Sequence, residues 1–94
     1  MDIIQTYKHE TIKEIFGKLA MIGKITGFTS YKNMPSEITF YHAGKKCIFY
    51  QKFDVDFTRL NSCALSIEKV GNFSGNTKEE VEKIYNFLKE QKVI

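Results

Sequence analysis

Asp54 and Asp56, two residues apart, are the nearest approach in this chain to a catalytic pair. Two carboxylates on one strand face can divide general-acid and general-base work or share a divalent cation. No third acid stands at a useful spacing to support them, and the two histidines, His9 and His42, are far apart in the chain. Aspartates on an exposed strand are more often solvated charges that discourage edge pairing. His9, beside Glu10, reads as a surface histidine on the polar side of a helix. Gly71-x3-Gly75-x-Thr77-Lys78 sits where a phosphate-binding loop would sit, but it is one residue short between the glycines and its Thr and Lys are misplaced. Glu79, Glu80 and Glu82 follow at once; they suit a helix N-terminus and repel an anion. Cys47 and Cys63 read as small buried hydrophobes. The chain is therefore expected to be non-enzymatic, with no catalytic residue, no metal and no cofactor.

Composition narrows the remaining classes. Ninety-four residues suit one domain, 1–94, with little room for a deep cleft beside a core. A 43% hydrophobic and 27% charged content is that of a folded domain. The start, Met1-Asp2-Ile3-Ile4, is not a secretory signal, and no apolar run approaches the ~20 residues of a membrane span. Two cysteines are too few for a disulfide scaffold, so a cytoplasmic protein without membrane contact is expected, and the Asn72-Phe73-Ser74 sequon carries no meaning there. Thirteen of the fourteen basic residues are Lys, with Arg59 alone, and the net charge is +3. That is poor material for bidentate readout of phosphate or guanine.

The elements follow from periodicity. Lys45–Thr58 alternates, with Cys47, Phe49, Phe53, Val55 and Phe57 on one face and only Gln51 breaking the run, the pattern of a half-buried strand. Glu37–His42 precedes it as a strand with Ile38 and Phe40 on the matching face, joined by a turn at Ala43-Gly44. Cys63–Val70 is read as the next strand. A three-residue loop Arg59–Asn61, with Asn61 left-handed, would set Phe57 opposite Cys63, Val55 opposite Leu65 and Phe53 opposite Ile67. That register would separate the two cysteines by roughly 33 Å. Ile25–Lys32 is expected as an edge strand. A helix over about 3–22 is indicated by Ile4, Tyr7, Ile12, Ile15, Phe16, Leu19 and Ile22, capped by Asp2 with Gln5 and closed at Gly23. Alternatively it starts at a Thr11/Glu14 box, leaving residues 3–9 as a strand. Residues 71–76 read as a loop into a last helix opened by a Thr77/Glu80 capping box, with Val81, Ile84, Tyr85 and Leu88 as its apolar stripe and Phe87 at the edge. The expected architecture is α+β: a two-layer, four-stranded antiparallel meander with an N-terminal and a C-terminal helix on one face (α-β-β-β-β-α).

Two layers bury one sheet face, so the other meets solvent or a partner. Its expected residues are Thr39, Tyr41, Lys46, Ile48, Tyr50 and Lys52. Two tyrosines and an isoleucine beside lysines exceed what a wetted sheet face needs, although aromatic and β-branched residues also suit exposed strands through cross-strand packing. Lys24–Lys52 holds five lysines against Glu37 alone. A protein partner would use the tyrosines and Ile48 as anchors. A single strand of nucleic acid would stack on the same tyrosines while lysines follow its phosphates, but Asp54 and Asp56, expected further along that face, would repel it. The leading expectation is a small binding protein acting stoichiometrically on a protein partner, as regulators, inhibitors and many small phage or mobile-element proteins do. A nucleic-acid binder using the same face comes next, and a homo-oligomer packing two such faces together comes third.

Overall fold

A computed structural model describes residues 3–94. Helix α1 (Ile3–Leu19) leads into strands β1 (Lys24–Phe28), β2 (Pro35–His42), β3 (Lys45–Phe53), β4 (Leu60–Ile67) and β5 (Gly71–Gly75), and helix α2 (Lys78–Glu90) closes the order. The strands form one antiparallel meander in sequence order. The α+β class is the expected one, but the sheet has five strands rather than four. The additional strand is the segment read as a loop. Gly-Asn-Phe-Ser-Gly has the composition of a turn, and it is held extended because all five residues pair with β4, from Gly71 opposite Ile67 to Gly75 opposite Cys63.

Helix α1 runs without a break through Thr11, so residues 3–9 are helical and the Thr11/Glu14 box does not start the helix. The alternative cap at Asp2 lies outside the described residues. The helix ends three residues earlier than its periodicity suggests. Beyond Leu19 the bonds tighten, with Met21 N–H donating to Lys18 O and Ile22 N–H to Leu19 O, and Gly23 N–H returning to Leu19 O at 2.9 Å. Gly23 is required by proximity: a Cβ there would stand 2.5 Å from the Thr39 carbonyl oxygen and 2.9 Å from Phe40 Cβ. The α1–β1 turn thus presses directly on β2.

Side chains line up in rows across the sheet. On the covered face Ile25, Ile38, Phe49, Leu65 and Phe73 form one continuous apolar row. Its three central members are at most 1% exposed, whereas Ile25 and Phe73 emerge at the two edges. Ile12, Ile15, Phe16 and Leu19 of α1 and Val81, Ile84 and Leu88 of α2 pack over this face with Phe40, Cys47 and Cys63, and the Phe16 and Phe49 rings lie 6.5 Å apart. Fully burying each such side chain contributes about 1.5–3 kcal/mol. Gln51, which interrupts the apolar alternation of β3, is buried; its Nε2 donates to Pro35 O at 2.8 Å and ties down the start of β2, while its Oε1 meets no donor among the described residues.

The β2–β3 pairing is the expected one, Ile38 opposite Phe49 and Phe40 opposite Cys47. The β3–β4 pairing is not. Strand β3 stops at Phe53, and Cys63, Leu65 and Ile67 face Gln51, Phe49 and Cys47 in place of Phe57, Val55 and Phe53. Residues 54–59 form a loop in which the Asp54 carboxylate accepts from Thr58 N–H at 3.0 Å and from the Thr58 hydroxyl. Phe57, not Asn61, takes the left-handed backbone (φ 58°), and its ring packs between Tyr31 and Phe53. Asn61 is an extra residue in the β4 ladder. Val55 stands 94% exposed at the loop.

His9 is likewise not a bystander on the polar side of its helix. Its Nδ1 accepts the Leu60 N–H at 2.9 Å, and Gln5, one turn before it, donates Nε2–H to Leu60 O at 3.0 Å. Helix α1 thereby satisfies both backbone groups of the residue that opens β4. Helix α2 begins as expected: Glu80 N–H donates to Thr77 Oγ1, while the Glu80 carboxylate accepts from Thr77 N–H and Asn76 N–H. Those backbone donors hold the Glu80 carboxyl below its ordinary range.

Candidate functional site

The open face carries four rows, the outermost at one end being Lys52 opposite Ser62. Lys24, Thr39, Ile48, Ser66 and Asn72 form an inner one. On one side Gly27, Glu37, Tyr50, Ala64 and Ser74 run parallel to it, and on the other Tyr41 stands opposite Lys46. Large amphipathic residues gather on β2 and β3, while Ser62, Ala64, Ser66, Asn72 and Ser74 make the β4–β5 half small and polar. The face is therefore stepped, and its raised half contains the six residues singled out from the sequence.

Four of those six, Thr39, Tyr41, Lys46 and Ile48, line one groove of about 730 Å³. Tyr50 and Lys52 share the face but lie outside that groove. Its opposite wall is Met21, Ile22, Gly23 and Lys24, contributed by the α1–β1 turn and the start of β1, and Thr26, Glu37 and Phe40 complete its lining. Met21 is 84% exposed and Tyr41 70%, so apolar and aromatic surface flanks the groove on both sides. Lys24 and Lys46 supply positive charge, one from each wall.

A directed hydrogen-bond chain crosses the floor. Thr26 Oγ1 donates to the Glu37 carboxylate at 2.7 Å and lies 2.9 Å from Thr39 Oγ1. A hydroxyl has one proton, so with the Thr26 proton committed to Glu37, Thr39 donates to Thr26. Register breaks on either side of Gly27 allow this. A Cβ at Gly27 would come 2.8 Å from Glu37 Cβ, so glycine leaves the space in which the Glu37 side chain lies.

Met21, Ile22, Lys24 and Thr26 were not indicated by the sequence as part of this face, whereas the β2 alternation alone puts Glu37 there beside Thr39 and Tyr41. Met21 and Ile22 continue the apolar periodicity of α1, and only their exposure, after the helix stops at Leu19, brings them beside the sheet. Lys24 and Thr26 alternate correctly for the open face, a signal obscured by the breaks around Gly27. Asp54 and Asp56, by contrast, do not lie along the face; they belong to the β3–β4 loop. Desolvation raises the Asp54 carboxyl, but hydrogen bonds from the backbone at Thr58, Arg59 and Asp56 and from the Thr58 hydroxyl together outweigh it and leave the group below its ordinary value.

The remaining chemical candidates are inert or dispersed. Both cysteines are free and buried. Burial pushes the Cys63 thiol up to about 12 and also raises that of Cys47, so neither presents a thiolate near neutrality. The observed register shortens their separation along the sheet to four residues, roughly 13 Å, still beyond disulfide reach. Among the described residues no group of three or more His, Cys, Asp or Glu is arranged to hold a metal ion, and no helix is long and apolar enough to cross a membrane. Gly71–Gly75 being a strand, no glycine loop precedes α2 to receive phosphate.

The site so defined is a concave, mixed apolar and cationic surface on a two-layer α+β module. No protein-family model, curated protein or solved structure matches the chain.

Proposed function

We propose that this is a non-enzymatic binding protein that acts stoichiometrically, as a regulator or inhibitor, by receiving a segment of a protein partner on the open face of its sheet. The observation that carries this reading is the groove between Tyr41, Lys46 and Ile48 on one side and Met21, Ile22 and Lys24 on the other. Exposed aromatic and apolar side chains within a polar rim are what protein interfaces use as anchors. The Glu37 carboxylate in the lining disfavours a phosphate backbone at the same place and offers an acceptor to a peptide donor.

A nucleic-acid strand is the second reading, and one observation favours it. With Asp54 and Asp56 off the face, the lysines at 24, 46 and 52 are opposed there by Glu37 and, at the β4 end, by Glu68, whose carboxylate accepts from Lys46 N–H.

Capture of partners by the tagged protein and its Tyr41→Glu variant, with and without nuclease, tests the first reading. Tyr41 is exposed enough for the variant to keep the native circular-dichroism spectrum. A protein retained through nuclease and lost with Tyr41→Glu supports it; a partner bound equally by the variant removes the groove from consideration. Nucleic acid bound with an affinity that falls steeply with salt, and further in the Lys46→Gln variant, would establish the second.

A further inference from the structure

The two edges of the sheet are built differently. Edge strands expose unpaired backbone donors and acceptors, and proteins blunt them with charges, bulges or proline. Strand β1 has such devices: Lys24 at its start and register breaks on both sides of Gly27. Strand β5 has none. It pairs with β4 without interruption over Gly71–Gly75 and contains no charge and no proline.

The sequence of β5 is nearly the same read in either direction, Gly-Asn-Phe-Ser-Gly. If two copies meet antiparallel about a twofold axis at Phe73, Phe73 faces Phe73, Asn72 faces Ser74, and Gly71 faces Gly75. Asn72 and Ser74 lie on the open side, where amide and hydroxyl can bond across the strands. Phe73 lies on the helix side, 44% exposed and stacked on Phe87 with ring centroids 6.5 Å apart. Beside it a slot of about 570 Å³ lies between α2 and the edge, lined by Leu65, Phe73, Ile84 and Phe87 and, on its polar side, by Asn72, Ser74, Glu80 and Lys83. Pairing two such edges would gather four aromatic rings around the axis.

Charge singles out the same place. The chain carries +3 overall, and on the open face Lys24, Lys46 and Lys52 stand against Glu37, an excess of positive charge that disfavours pairing two such faces. Residues 77–94, which flank β5 through α2, hold four lysines and four glutamates. Edge and helix together make a self-complementary, electrically balanced surface, as an isologous contact requires.

We infer that the protein is a homodimer formed by antiparallel β5–β5 pairing centred on Phe73, giving a continuous sheet of ten strands. An axis perpendicular to the sheet keeps both grooves on one side of the assembly. This contact is separate from the groove and does not depend on what the groove binds.

Sedimentation equilibrium of the full chain over micromolar to near-millimolar concentrations tests the inference. The expected species has twice the chain mass of 10.9 kDa. Phe73→Lys, which sets like charges opposite one another at the axis, should weaken association at least ~tenfold while the fold is retained. Phe73→Cys tests proximity independently. Directly opposed residues of an antiparallel pair have Cα atoms about 4.5–5.5 Å apart, within disulfide range. Mild oxidation should therefore link Phe73→Cys chains, but not chains with Val55→Cys at the exposed β3–β4 loop. A species that remains at 10.9 kDa throughout overturns the inference. So does a dimer indifferent to Phe73→Lys, one that Phe73→Cys fails to link, or one abolished by Tyr41→Glu instead.

Discussion

The two hairpins that share β3 reach a defined register by different means. Between β2 and β3 the connection is Ala43-Gly44, both with positive φ (53° and 75°), the pattern of a type I′ turn whose twist matches that of the strands. Between β3 and β4 the chain makes a six-residue loop pinned by the Asp54 carboxylate, sets Phe57 in a left-handed conformation between two rings, and adds Asn61 as a bulge. The register there is completed by Gln5 and His9 on α1, 55 and 51 residues away in the chain. Local backbone preference specifies the first hairpin, whereas side chains from a distant helix help specify the second.

The largest effect should come from removing the distant support. His9→Ala leaves the Leu60 N–H without its acceptor in a residue 3% exposed, and a buried unpaired donor costs about 1–3 kcal/mol. Equilibrium urea unfolding followed by circular dichroism measures this; a loss below a few tenths would mean that β4 holds its register without α1. In the tight turn, Gly44→Val places a β-branched side chain at φ 75° and should destabilise by about 1–2 kcal/mol. Ala43→Asn, at φ 53°, should stabilise by up to about 1 kcal/mol because asparagine tolerates the left-handed region and Asn-Gly is the preferred type I′ pair. An unchanged melting temperature would show that the turn does not limit stability.

The smallest effect concerns acid. Because the folded Asp54 carboxyl lies below its ordinary value, its stabilisation is present above the unfolded value of about 3.9 and is lost as pH falls through the folded one. The melting temperature of Asp54→Ala should sit below that of the parent at neutral pH, and the two should converge at the acid end. Gly44→Val, lacking any titrating group, should keep its deficit across the range.

These differences also explain what could be read in advance. The Ala43-Gly44 hairpin and the Thr77/Glu80 cap are local devices, and both are visible in a few residues. The end of β3 is not, because Val55 and Phe57 prolong the apolar alternation after the strand has stopped. Strand β5 has the composition of a turn and is extended only by pairing with β4. For the candidate face, the alternation of β2 and β3 located Thr39, Tyr41, Lys46, Ile48, Tyr50 and Lys52 on one side of the sheet. The second wall of the groove, Met21 and Ile22, depends on where α1 ends and on how closely Gly23 lets the following turn approach β2. No periodicity in either segment encodes that approach.

The attachment of Leu60 to α1 has one more consequence, for the order in which the molecule opens. The amide of Leu60 is protected by a helix side chain and not by a neighbouring strand. Its exchange with deuterium therefore reports detachment of α1, while the amides within the β2–β3 ladder report opening of the sheet. If α1 lifts as a unit before the sheet parts, the first residue of β4 will exchange on the timescale of that helix, ahead of the strand to which it belongs.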